Sequence, residues 1–111
     1  MPAVYSKEID TILSVGIWLE PLHRNWALTK TQALVVIDEL RNANFIVLGG
    51  DVLEGPDKKY RHTYDNWYFD LTVPPSSEDV TASAIKAINY VTSYPRDDAY
   101  FVFVVTNSLR R

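Results

Sequence analysis

The residues best suited by type to chemistry are Asp51, Asp65 and Asp70, with His62 among them in the chain. Such side chains ligate metals or move protons when a fold gathers them. Metal ligation also needs fixed spacing, as in His-x-x-x-His, and no such spacing occurs. His23 and His62 are the two histidines, and each lies in a stretch that reads as loop, where a lone imidazole is solvated. General acid and base work needs two carboxyl groups aimed at one substrate atom. The chain has 14 acidic residues, so pairs arise by chance. With no Cys, the candidate nucleophiles are Ser and Thr, and none sits in a Gly-x-Ser-x-Gly turn. The reading is no catalytic residue, no metal site and no cofactor.

A second set of residues suits recognition rather than reaction. Tyr64, Asn66, Tyr68 and Asp70 recur at every second position. In an extended strand that period puts all four on one side. A tyrosine offers large contact area and a polar tip, and it is enriched in protein interfaces. Carboxylates draw a basic partner and speed encounter. With Asp51 added, these five are the candidate residues for binding a protein partner. A merely solvated sheet face produces the same pattern, because Tyr is common on half-exposed strands. Gly49-Gly50-Asp51 is similar to the glycine-aspartate hairpin of nucleotide cyclases, but no phosphate-binding loop or metal-binding motif accompanies it. Two glycines in a strand mark a bulge or close backbone packing.

Composition limits the other partners. The chain has 111 residues, enough to bury a core without disulfides. Hydrophobic residues make up 47% and aromatics 13%, which excludes a disordered tail. A net charge of −3, with scattered basic residues, argues against nucleic acid. The densest basic group, Lys58-Lys59-Tyr60-Arg61-His62, reads as a solvated loop. No apolar run approaches the roughly 20 residues that span a bilayer. Met1-Pro2-Ala3-Val4-Tyr5-Ser6 lacks the pattern of a signal peptide. A cytoplasmic protein without membrane contact is expected.

These residues need elements to position them. Ser6 is placed to cap a first helix carrying Ile9, Ile12 and Leu13, with Gly16 as its stop. Residues 17–28 read as irregular. Thr29 with Gln32 forms a capping box for a helix over about 30–42, whose buried stripe is Ala33, Leu34, Ile37 and Leu40. Strands are expected over 45–53 and 64–71, joined by a loop at 55–63. Ser76 with Asp79 has capping-box spacing for a third helix, with Val80, Ala84, Ala87, Ile88 and Val91 inward and Pro95 beyond its end. Residues 99–106, apolar on both sides, form a covered strand. The expected fold is α+β: a three-stranded antiparallel sheet in the order 64–71, 45–53, 99–106, with helices mainly on one face.

Alternation divides that sheet. Trp67, Phe69 and Leu71, with Asp65 near the strand end, fall on the core side, joined by Ile46, Leu48, Gly50 and Val52. The opposite side shows Val47, Gly49 and Asp51 beside Tyr64, Asn66, Tyr68 and Asp70. Trp18, Trp26 and Trp67 read as core, since large aromatics dominate burial.

Two segments carry a resemblance. Leu48-Gly49-Gly50-Asp51-Val52, followed after a loop by Tyr64-Asp65-Asn66-Trp67-Tyr68, resembles the immunity protein 40 family of bacterial polymorphic toxin systems. Trp26-Ala27-Leu28, the helix bearing Ala33-Leu34, the helix over 77–93 and Phe101-Val102-Phe103-Val104 fit the same pattern. The likeness runs from about residue 25 onward. It departs at Phe69, where the pattern leads to Cys, and in the charged loop 57–62. The resemblance implies one immunity-protein-like domain over 1–111, an α+β fold and no catalysis. It also implies a role in neutralising a cognate toxin encoded by a neighbouring gene. A nuclease, with its basic cleft, is a plausible toxin for an acidic surface. The alternatives are a small-molecule-binding or regulatory domain that uses the open sheet face as a pocket or homodimer seam, and, third, a small enzyme.

Overall fold

Among the described residues, each of the three α-helices follows a hydroxyl residue. The computed structural model describes residues 4–20 and 24–106, so His23 and Met1-Pro2-Ala3 lie outside the described residues. Ser6 Oγ accepts from the Ile9 N–H at 3.3 Å and opens α1 (Lys7–Leu13). Thr29 and Gln32 exchange hydrogen bonds at 3.2 and 3.0 Å and open α2 (Lys30–Asn42). Ser76 precedes α3 (Ser77–Ser93), and its N–H donates to Asp79 Oδ2 at 3.0 Å. Each contact satisfies a backbone donor that the first helical turn leaves unpaired. Among the described residues no helix is long and apolar enough to cross a membrane.

Among the described residues the sheet has five antiparallel strands rather than three. They are β1 (Ile17–Leu19), β2 (Asn25–Thr29), β3 (Ile46–Leu53), β4 (His62–Tyr68) and β5 (Tyr100–Thr106), in the order β1-β2-β5-β3-β4. The three expected strands keep their expected order. The correction lies in residues 17–28, which supply β1 and β2. Asn25, Trp26, Ala27 and Leu28 are all buried, so the strand shows no alternation to read. Pairing with β2 makes β5 an interior strand, which accounts for its apolar residues on both sides.

A bulge reassigns one part of the sheet. Val47 pairs with Val105, but Gly49 pairs with Val104, so Leu48 is an extra residue in β3. Past the bulge, Gly50 and Val52 face the helices as expected. Before it the expectation is reversed: Val47 is the inward residue, packed with Phe103 and Val105 in the main core. Ile46 and Leu48 are not members of that core. The buried Val47 N–H donates instead to Ser83 Oγ on α3, at 3.1 Å. Ser83→Ala removes this acceptor and leaves a buried amide unpaired. We expect a loss of about 1–3 kcal/mol, measured by chemical denaturation; an unchanged midpoint would contradict this role.

Helices cover one face. Ile9 and Leu13 of α1, Ala33, Val36, Ile37 and Leu40 of α2, and Ala84, Ala87 and Val91 of α3 meet Trp67, Phe101 and Phe103. Leu34 and Ile88 are only half buried, and Val36 takes the place expected of Leu34 in the α2 stripe. Each large apolar side chain fully buried here contributes roughly 1.5–3 kcal/mol.

Buried carboxylates tie down the segments between elements. Asp10 accepts from the N–H groups of Val4 and Tyr5, the latter at 3.0 Å. Asp79 accepts from Ser76 N at 3.0 Å and from Thr72 Oγ1 at 2.8 Å and Thr72 N at 3.3 Å. Burial works to raise the Asp79 pKa, but these donors outweigh it and hold the carboxyl below its usual range. A carboxyl whose pKa falls on folding stabilises the fold while ionised, and that gain is lost as pH drops through its folded value. Asp79→Asn is therefore expected to flatten the decline of melting temperature below about pH 4. A decline as steep as the parent's would refute the assignment.

Candidate functional site

The face opposite the helices is closed at one end and open at the other. At the closed end Leu19, Ala27, Leu53 and Val102 form a small second core, covered by Tyr60 and Tyr100. The Tyr60 and Tyr100 rings meet edge to face, 5.3 Å apart. Tyr60 reaches that place because the chain turns back sharply after a short 3-10 helix, Pro56–Lys58, with Lys59 and Tyr60 both left-handed. Glu54 clamps this loop through Arg61 at 2.7 Å, and Arg96 lies 3.7 Å away. The Arg61 hydrogen bond leads in holding the Glu54 carboxyl below its usual pKa. The expected loop at 55–63 is thus a built structure, in which Lys58 and Lys59 remain exposed.

At the open end the candidate residues meet unequally. Asp51 and Asn66 are direct cross-strand partners, and Tyr68 stands opposite Gly49. Tyr68 is 67% exposed and Val104 of β5 is 43% exposed. Between them lies a shallow trench of about 320 Å³, lined by Leu48, Gly49, Gly50, Asp51, Asn66, Trp67, Tyr68 and Val104. Its floor is the backbone of Gly49 and Gly50, where β3 and β4 lie too close for side chains. A Cβ on Gly50 would sit 2.5 Å from the Trp67 ring and 2.6 Å from the Val102 carbonyl oxygen, and one on Gly49 would strike the Trp67 carbonyl oxygen.

Tyr64 and Asp70 need correction. Alternation predicts both as regular strand residues; Tyr64 lies within β4 but at a bulge, and Asp70 lies outside the strand. Residues 63–65 bulge from β4, because the register shifts between Asp51↔Asn66 and Leu53↔His62. Tyr64 is left-handed, with φ 71°, and its ring is 86% exposed. A bulky residue in that region costs about 1–2 kcal/mol. Local bonds hold it there: the Tyr64 N–H donates to His62 Nδ1 at 2.7 Å, and the Asp65 N–H donates to Thr63 Oγ1 at 3.1 Å. His62 Nε2 then lies 3.4 Å from Asp51 Oδ1. Asp70 is exposed but follows the end of β4, which stops at Tyr68 rather than residue 71; Phe69 and Leu71 are half buried beyond it.

Other side chains escaped the sequence reading. Lys86 of α3 reaches the sheet edge, donates to the Tyr68 carbonyl and lies 5.4 Å from the Tyr68 ring centroid. On the helix side Tyr94 donates to Asp65 Oδ2 at 2.7 Å, which agrees with Asp65 facing the core side. Burial and that carboxylate raise the Tyr94 pKa. No local signal marks either contact, since the partners are 18 and 29 residues apart. A larger groove, about 780 Å³, lies elsewhere, between the end of α2 and the start of α3. Arg41, its one cationic lining residue, is paired with Asp38 at 2.6 Å. Among the described residues no group of three or more His, Cys, Asp and Glu is placed to hold a metal ion.

Fold and surface together define an α+β protein with one helix-covered sheet face and one partly open face bearing aromatic and acidic groups. The family model described as Immunity protein 40 matches residues 12–105. The match takes in most of the chain and starts earlier than residue 25, and the chain belongs to the immunity protein 40 family. Comparisons with curated proteins and with solved structures found no match.

Proposed function

We propose that the chain neutralises a cognate toxin by docking the open end of its sheet onto it, without catalysis, in the cytoplasm. Family membership supports an immunity role with a toxin as partner. The observation that carries the choice of surface is its unused hydrogen-bonding capacity. Among the described residues the hydroxyls of Tyr64 and Tyr68 and the side-chain amide of Asn66 make no hydrogen bond, and all three side chains are exposed. Tyr64 is held in a left-handed conformation that is costly for a bulky residue, and such outliers concentrate at functional sites. Asp51, Tyr64, Asn66, Tyr68 and Asp70 would form the acidic, aromatic part of an interface of about 800 Å² on each partner. Its sign suits a toxin with a basic cleft, such as a nuclease, encoded by the neighbouring gene. The trench is open, which fits a partner's side chain better than an enclosed small molecule.

The test is co-expression with the toxin from the adjacent gene. Tyr68→Ala and Asp70→Lys should each weaken toxin binding about tenfold or more, as interface anchors do, and should lower protection while leaving thermal melting unchanged. Full protection by both variants would remove this face from the proposal.

A further inference from the structure

The trench over Gly49 and Gly50 carries a narrower inference, which rests on the docking proposal above. Its floor is bare backbone, and its walls are the Tyr68 ring and the Val104 side chain. Asp51 and Asn66 stand side by side among its lining residues. One Asp51 oxygen faces His62 Nε2 at 3.4 Å; the other, like the Asn66 amide, has no hydrogen-bond partner among the described residues. The trench is therefore apolar along its sides and supplies two unused acceptors, a carboxylate oxygen and an amide carbonyl.

We infer that the trench receives an arginine side chain of the partner protein, with its stem between Tyr68 and Val104 and its guanidinium on Asp51 and the Asn66 carbonyl. A three-carbon stem packs on apolar surface while its head stays polar. A planar guanidinium serves two acceptors at once and stacks on an aromatic ring. Lysine brings a point charge that matches neither feature. Two other basic groups border the trench. His62 flanks Asp51, and Lys86 Nζ lies 5.4 Å from the Tyr68 ring centroid. The Lys86 cation weakens the ring's attraction for a second cation, so Asp51 supplies the main electrostatic pull and Tyr68 mainly packs the stem.

The test is an NMR titration of the intact protein with N-acetyl-arginine methylamide, up to about 50 mM because a single side chain binds weakly. The matched neutral citrulline and cationic lysine derivatives serve as comparisons. The arginine probe should shift the backbone amides of Gly49, Gly50, Asn66 and Tyr68 saturably. Citrulline should not, and lysine should bind several-fold more weakly. Asp51→Asn and Tyr68→Ser should each weaken the arginine response about threefold or more. An equal response to citrulline or lysine, or no saturable shift at those amides, overturns the inference. If that happens while Tyr68→Ala and Asp70→Lys still lose protection, the docking proposal stands without the arginine. Arginine binding with full protection in both variants overturns the assignment of this trench to the toxin.

Discussion

Trp67→Ala is expected to cost about 3–5 kcal/mol of folding stability, as truncation of a buried aromatic does. Trp67 is 7% exposed, lies nearly parallel to Tyr90 at 4.5 Å and meets Phe103 edge to face at 5.8 Å. Its removal empties a site bounded by Phe103 of β5, Tyr90 of α3 and the backbone of Gly50. Its indole N–H makes no hydrogen bond among the described residues, so the ring contributes by packing. Chemical denaturation checks this, and a near-parental midpoint would mean that β4 presents its other side to the helices.

Gly50→Val is expected to destabilise by about 3 kcal/mol, at the upper end of the cost of overpacking. The sign is what makes the substitution informative. Valine is a better strand former than glycine and removes glycine's extra unfolded freedom, so local preference alone forecasts a gain. Space decides against it. The first added carbon already meets the Trp67 ring at 2.5 Å and the Val102 carbonyl oxygen at 2.6 Å. One of those groups is the backbone of a central strand, which cannot move aside without breaking pairing. A melting temperature equal to or above the parent's would show that the indole does not rest on this glycine.

The legible parts of the fold are those specified by neighbours in sequence. Ser6, Thr29 with Gln32, and Ser76 with Asp79 mark helix starts because a cap and its target lie three residues apart. Tyr100–Thr106 was legible as a covered strand because burial on two sides leaves no polar position. The same burial hid Asn25–Thr29, a shorter stretch that follows a left-handed Arg24. The Leu48 bulge depends on register with β5 and on a hydroxyl 36 residues away, so alternation placed Val47 on the wrong side. Asp51, Asn66 and Tyr68 follow the pleat and lie on the open sheet face, as alternation predicts. Tyr64 points outward for a different reason from the one expected: its backbone is turned over by the His62 contact. Asp70 lies past the end of β4, one residue beyond the Phe69 N–H, which makes the final bond to the Leu48 carbonyl at 2.7 Å.

The outer margin of β4 bears on how any partner can engage. An unpaired strand margin ordinarily invites a foreign segment to join by main-chain hydrogen bonds, a mode that tolerates many sequences. Here the Lys86 ammonium already occupies the Tyr68 carbonyl, and the turned-over Tyr64 interrupts the extended run. Both features work against strand addition along that border. In the proposed docking mode, discrimination between right and wrong partners would fall to protruding functional groups, which substitution can retune one at a time while the scaffold beneath stays fixed.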